Sequence, residues 1–194
     1  GKGFTEWRNV VKAKPLYRGH YQPHLPADLG FYDLRVPEVR EQQAEMAKTY
    51  GISGFCYYHY WFNGHQLMQR PLKEVLSSGK PDFPFMLCWA NENWTRAWDG
   101  GSRNVLIAQN YSKEDDRAHI RYLLSNVFND SRYIKVDGKP VFLIYRSMLF
   151  PNMKETIKIW REEAIHSGIE LFLCRVETVD CYGEEYLRDG FDAA

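Results

Sequence analysis

The stretch from Pro84 to Gly100, P-F-M-L-C-W-A-N-E-N-W-T-R-A-W-D-G, gathers the side chains of this sequence best suited to chemistry. Phe85 to Cys88 form a short apolar run behind a proline, the pattern of a buried strand. The run leads within a few residues to Asn91, Glu92 and Asn93, then to Trp94, Arg96, Trp98 and Asp99. A carboxyl group can give or take a proton at an oxygen, and amides and a guanidinium can bind hydroxyls. Indoles stack on flat partners with apolar faces and a polar rim, and a sugar ring has that form. Glycosidic cleavage needs one carboxylic acid to protonate the leaving oxygen and a second carboxylate as nucleophile or base, about 5–9.5 Å away. Glu92 is the candidate for the first. Asp99 in the same loop, Glu177 and Glu6 are the candidates for the second. The competing explanation for Glu92 is a surface ion pair with Arg96.

The elements that must position these groups alternate. A helix is expected from Pro37 to Tyr50 and a strand from Ile52 to Tyr60, then a helix over Gln66–Ser78 and the strand Pro84–Ala90. Ser112, followed by Glu114, Asp115 and Asp116, reads as a capped helix start. After an Asp137-Gly138 turn come a strand from Val141 to Tyr145, a helix opened by Asn152 with Glu155 three residues on, and a strand from Leu171 to Val176. A short helix over Gly183–Asp189 and a strand opening at Phe191–Ala194 complete the set, and the first 35 residues read as loop. Each strand ends in a polar or aromatic burst: His59, Tyr60 and Trp61; Asn91 to Asp99; Arg146; Glu177. Continuous apolar strands alternating with helices predict a parallel sheet, with the bursts at its carboxyl edge. The fold class expected is α/β, a (β/α)8 barrel of TIM type that is incomplete, lacking its first strand and last units. Residues 1–194 are expected to be one domain, a fragment of a longer chain. Trp7, Trp61, Trp94 and Trp98 are expected in loops, where with His59, Tyr60, Asn91, Asn93, Arg96 and Arg146 they would contact substrate. Trp89 is assigned to a strand and Trp160 to a helix core.

Net charge is zero, so nothing favours nucleic acid or an acidic membrane as partner. Aromatic residues reach 15%, and their concentration after strands asks for more than core filling. No apolar run approaches the ~20 residues of a membrane span. The four cysteines, Cys56, Cys88, Cys174 and Cys181, lack C-x-x-C spacing; they read as buried free thiols, which favours a cytoplasmic setting. His20 and His24 have a metal-like spacing, but Pro23 denies them a common helical face. With no D-x-D pair and no glycine-rich phosphate loop, neither metal nor cofactor is expected. The expected partner is a glycan or polysaccharide substrate, and the sequence does not give an oligomeric state.

Four segments carry a family resemblance: G-H-Y-Q-P-H-L-P-A-D-L-G-F-Y-D-L-R (Gly19–Arg35), G-F-C-Y-Y-H-Y-W-F (Gly54–Phe62), C-W-A-N-E-N-W-T-R-A-W-D-G (Cys88–Gly100) and D-G-K-P-V-F-L-I-Y-R (Asp137–Arg146). Together they resemble the WbsX-type family, whose members are labelled glycosyltransferases from their place in surface-polysaccharide (O-antigen) gene clusters. More remotely they resemble the family 99 endo-α-mannosidases. That second resemblance implies a (β/α)8 barrel and retention through a 1,2-anhydro-sugar, with two carboxylates on one loop in an H-I-E-P-Y-E pattern. Glu92 matches the first of these glutamates. The second falls on Thr95, which does not ionise at working pH. The resemblance thus implies the fold more firmly than the reaction.

Overall fold

The computed structural model describes residues 5–96, 101–179 and 181–194. The chain opens in coil, with one helical turn, α1 (Trp7–Val10), inside the segment expected to be loop throughout. Helix α2 (Pro37–Thr49) follows, with its proline in the first turn, where a missing N–H costs nothing. Strand β1 (Phe55–Phe62) turns through Asn63-Gly64 into β2 (His65–Leu67), which pairs back on it antiparallel. Both turn residues have positive φ, 47° and 81°, as a two-residue hairpin requires. The helix expected over Gln66–Ser78 therefore starts later, as α3 (Arg70–Ser78).

Strand β3 (Phe85–Trp89) runs into a hairpin of β4 (Trp94–Arg96) and β5 (Gly101–Ile107), where the sequence reading had only loop. Helix α4 (Lys113–Asn126) begins as expected: the Ser112 hydroxyl accepts the Asp115 N–H. A small antiparallel strand, β6 (Lys135–Val136), turns at Asp137-Gly138 into β7 (Lys139–Ile144). Helix α5 (Met153–His166) starts at Asn152, whose side chain accepts the Glu155 N–H. Strand β8 (Phe172–Arg175) and helix α6 (Glu185–Asp189) come last, and Ala193 bridges Cys174 in parallel, as a further strand would.

The parallel strands lie in the order β1-β3-β7-β8, which is their order in the chain. Among the described strands no reversal occurs, unlike the switch point of a doubly wound sheet. One face of the sheet meets the helices. There Phe85, Leu87, Trp89, Phe142, Ile144, Leu171 and Leu173 pack on Leu123, Val127, Phe128, Ile157 and Trp160, almost wholly shielded from water. Trp89 and Trp160 take the strand and helix-core places assigned to them. Side chains alternate across a strand, so Cys56, Tyr58, Tyr60, Cys88, Leu143 and Cys174 belong to the other face. Cys56 is exposed and Cys174 and Cys181 are half-buried, so the expectation of buried thiols holds only for Cys88. The fold is mixed α/β, with an ordered parallel sheet covered by helices on one side. No described helix is long and apolar enough to cross a membrane.

Candidate functional site

The carboxyl edge of the sheet is built by continuing the ladder one step past each strand. Ala90 N–H reaches His59 O at 3.0 Å, Tyr145 N–H reaches Trp89 O at 3.1 Å, and Val176 N–H reaches Ile144 O at 2.9 Å. Beyond this row the backbone pairing between β3 and β7 stops, and the side chain of Asn91 takes it over. Its Oδ1 accepts the Arg146 N–H at 2.8 Å and its Nδ2 donates to Arg146 O at 2.8 Å. Nδ2 also donates to the Tyr111 hydroxyl at 3.0 Å, while that hydroxyl donates to Asn91 O at 2.7 Å. Asn91 has no exposed surface. Expected among the substrate contacts, it is instead bonded wholly within the protein.

Glu92 stands next to it with 46% of its side chain exposed, and Arg146 Nε donates to Glu92 Oε1 at 3.1 Å. The ion-pair partner of Glu92 is thus not Arg96, as the competing explanation has it, but Arg146, two residues past the end of β7. The Arg146 guanidinium also lies 4.7 Å from the ring centre of Tyr145, within cation–π range.

The alternation of β1 divides the residues expected at the rim. Tyr58, 58% exposed, and Tyr60, half-buried, lie on the open face. Tyr58 meets the ring of Tyr145 edge-on at 5.9 Å. Burial raises the pKa of both phenols. Tyr58 is raised further by Tyr145, Cys88, Cys56 and Glu92, and Tyr60 by Tyr58 and Glu6, so both carboxylates lie within electrostatic reach of this face. His59 and Trp61 point the other way, into the helix layer, at 5% exposure each. Trp61 is a strand residue rather than a loop residue. Its Nε1 donates to the Asp115 carboxylate at 3.0 and 3.1 Å, and its ring stacks on His119 at 4.7 Å. His59 Nε2 meets His119 Nε2 at 2.9 Å. Burial holds both imidazoles neutral, taking His59 down to about 4 and His119 well below its ordinary value. A rim contact with substrate is not what their positions provide.

Trp94 opens β4 and packs edge-on against Tyr60 at 5.3 Å and Phe62 at 6.3 Å. Asn93 Oδ1 accepts the Gln109 N–H at 2.6 Å, tying the two ends of the hairpin together, and Arg96 is exposed. Trp98 and Asp99 lie outside the described residues. Trp7 anchors the opening coil: its Nε1 donates to Tyr32 O at 3.0 Å and its ring meets Phe31 and Tyr32 edge-on. Glu6, beside it, is exposed. Glu177 accepts the Gly183 N–H at 2.9 Å and lies 4.0 Å from Arg175. The edge thus brings together Glu92, Arg146, Tyr60 and Trp94, with Tyr58, Tyr145 and Tyr111 as members that the sequence reading did not single out. The alternation of β1 was the available signal for Tyr58, since residues 58 and 60 must share a face.

Among the described residues no group of three or more His, Cys, Asp or Glu is placed to hold a metal ion. His20 is otherwise engaged: its Nδ1 accepts the Leu16 N–H and its ring stacks on Tyr17.

Comparison with known proteins places these features in context. Residues 1–194 match the model of a family described as Glycosyltransferase WbsX. WxcX proteins from two strains of Xanthomonas campestris pv. campestris, B100 and ATCC 33913, are 44% identical over 196 residues. That match takes in 100% of this chain and 28% of theirs, so the chain spans under a third of these relatives. Among solved structures, a GH99 endo-α-mannosidase from Bacteroides thetaiotaomicron superposes with a TM-score of 0.54 at 17% identity, covering 85% of this chain and 43% of that one. The same enzyme in complex with BIS-TRIS-propane gives 0.57 at 16%, covering 87% and 48%. A glycoside hydrolase-like protein gives 0.56 at 15%, covering 79% and 47%. At such identities the likeness is one of fold. The sequence match spans the chain from end to end, and the chain belongs to the WbsX family.

Proposed function

We propose that this chain is part of a carbohydrate-active enzyme and supplies the strand ends at which a glycosyl unit of a polysaccharide is cleaved or transferred. The observation that carries the reading is the Glu92–Arg146 pair, half-open to solvent at the ends of two adjacent parallel strands, beside the open face of Tyr58, Tyr60 and Tyr145. In a (β/α) barrel the carboxyl edge is where catalysis occurs. The strands β1-β3-β7-β8 are read as an arc of such a barrel, and the face bearing Tyr58, Cys88 and Leu143 as its interior side. Glu92 acts as one of the two carboxyl groups that glycosyl chemistry needs. Its partner is drawn from Asp99, Glu6 and Glu177. Arg146 binds one oxygen of Glu92 and limits the directions in which the carboxylate can turn. The tyrosines and Trp94 offer ring faces and edges to sugar.

A second reading is favoured by the family's description as a glycosyltransferase: the same edge would pass a sugar from an activated donor to an acceptor. Turnover assays of the full-length protein separate the two. Release of sugar from a polysaccharide with no nucleotide sugar present supports cleavage. Turnover that requires a nucleotide sugar, with a nucleoside diphosphate raising the melting temperature, supports transfer. Glycan binding with no turnover under either condition would overturn both and leave a binding module.

A further inference from the structure

We propose that Asn91 and Tyr111 form a clamp that positions Arg146 and, through it, the carboxylate of Glu92; the catalytic meaning of this clamp rests on the reading above, but the clamp itself does not. A parallel ladder is held by backbone N–H and C=O groups, and between β3 and β7 it ends at the Tyr145 N–H to Trp89 O bond. Two residues past the end of β7, Arg146 leaves the strand path, with φ −129° and ψ 75°. Its N–H would be left without a partner at this edge, which is costly, whereas its C=O also accepts the Leu149 N–H at 3.2 Å. The primary amide of Asn91 replaces the missing rung. It takes the Arg146 N–H on Oδ1 and gives an N–H to Arg146 O, so a side chain does the work of a strand peptide.

Tyr111 locks the amide in place. Its hydroxyl accepts from Asn91 Nδ2 and donates to Asn91 O, which fixes which end of the amide carries nitrogen. Burial pushes this phenol up to about 12, so it remains a donor across the working pH range. With the backbone of Arg146 held at both N–H and C=O, its guanidinium is left to lie over Tyr145 and bond Glu92 Oε1. The order of dependence is Tyr111, Asn91, Arg146, Glu92. Asn91 and Tyr111 are positioning residues; neither presents a free group to substrate.

An aspartate at position 91 would keep the acceptor but turn the donating atom into a second acceptor facing Arg146 O. The conservative substitution is therefore the sharper test. In the wild-type full-length protein the Arg146 Nε–H, followed by nitrogen-15 NMR at slightly acid pH, should exchange with water roughly fivefold more slowly than that of an exposed arginine. Asn91→Asp and Tyr111→Phe should both bring that exchange to within about twofold of the exposed rate. Tyr111→Phe removes one oxygen and keeps the ring, so it reports even if Asn91→Asp does not fold. In glycan turnover both variants should lower kcat with little change in KM, as misplacement of Glu92 would. Arg146 exchange that is fast in the wild type, or that stays slow in a folded Tyr111→Phe protein, overturns the clamp. Release of Arg146 in the variants, with no turnover by any form on any glycan, would retain the clamp and refute the catalytic reading instead.

Discussion

The buried histidine pair makes stability depend on pH in a way that a neighbouring carboxyl group should partly hide. His59 is neutral in the folded chain, with its pKa taken down to about 4 by burial, against an ordinary value near 6.5. The unfolded chain then binds more protons than the folded one between those values, so stability falls as pH drops through 6.5 and levels off below 4. Between pH 7.5 and pH 5 His59 alone loses about 2 kcal/mol, and His119, held neutral by burial in the same way, adds a loss of the same sign. Asp116, on α4 near His119, acts in the opposite sense. Burial pushes it up to about 6 while Thr156 donates to Oδ2 at 2.7 Å. The folded state holds this proton where the unfolded state does not, so Asp116 adds stability as pH falls from 6 toward 3.8. Discounted for solvent screening, that gain is about 1 kcal/mol by pH 5. The wild type should therefore lose more than about 1 kcal/mol between pH 7.5 and pH 5. Asp116→Asn keeps the acceptor for Thr156 and removes the titration. It should be about 2 kcal/mol more stable than wild type at pH 7.5 and lose about 1 kcal/mol more than wild type by pH 5, with the two curves converging only toward pH 3.8. Urea unfolding at a series of pH values measures this. Parallel curves for the two proteins, or stability that rises in Asp116→Asn as pH falls, would refute the account of this core.

Two further perturbations separate the packing of the sheet from the use of its edge. At Gly54 an added Cβ would lie 2.9 Å from Pro84 O and 2.9 Å from Ile134 Cδ1, where β1 enters beside β3. Gly54→Ala should cost about 1–3 kcal/mol in urea unfolding, and an unchanged midpoint would contradict that close approach. Tyr58 is exposed and touches Tyr145 edge-on. Tyr58→Ala should change stability by under about 0.5 kcal/mol and raise KM for glycan by roughly two- to tenfold through a lost ring contact. A drop in stability with KM unmoved would make Tyr58 structural.

Much of the architecture could be read from the sequence because local chemistry specifies it. The caps at Ser112 and Asn152 are written in the residues themselves, and each side chain accepts the N–H three residues on. The apolar runs at 85–88, 141–144 and 171–174 became the parallel strands because nothing polar interrupts them. Asn63-Gly64 is a dipeptide suited to two positive φ angles, a hairpin signal that the expected helix over Gln66–Ser78 left unused. The site was less legible. Asn91 carries a polar side chain beside Glu92, and only the position of Arg146, 55 residues away, shows that its amide is consumed in joining two strands. His59 and Trp61 read as rim residues until the phase of β1 is fixed, and that phase depends on which face the helices cover. Long-range pairing decides both cases.

The central claim is that Glu92 does chemistry rather than merely pairing with Arg146. Replacing Glu92 with Gln in the full-length protein keeps the size and a hydrogen-bonding oxygen while removing the ionisable group. Steady-state turnover of a bound polysaccharide substrate should then fall by a factor of about 100 or more, with glycan affinity within a few-fold of wild type. Turnover equal to wild type would contradict the account.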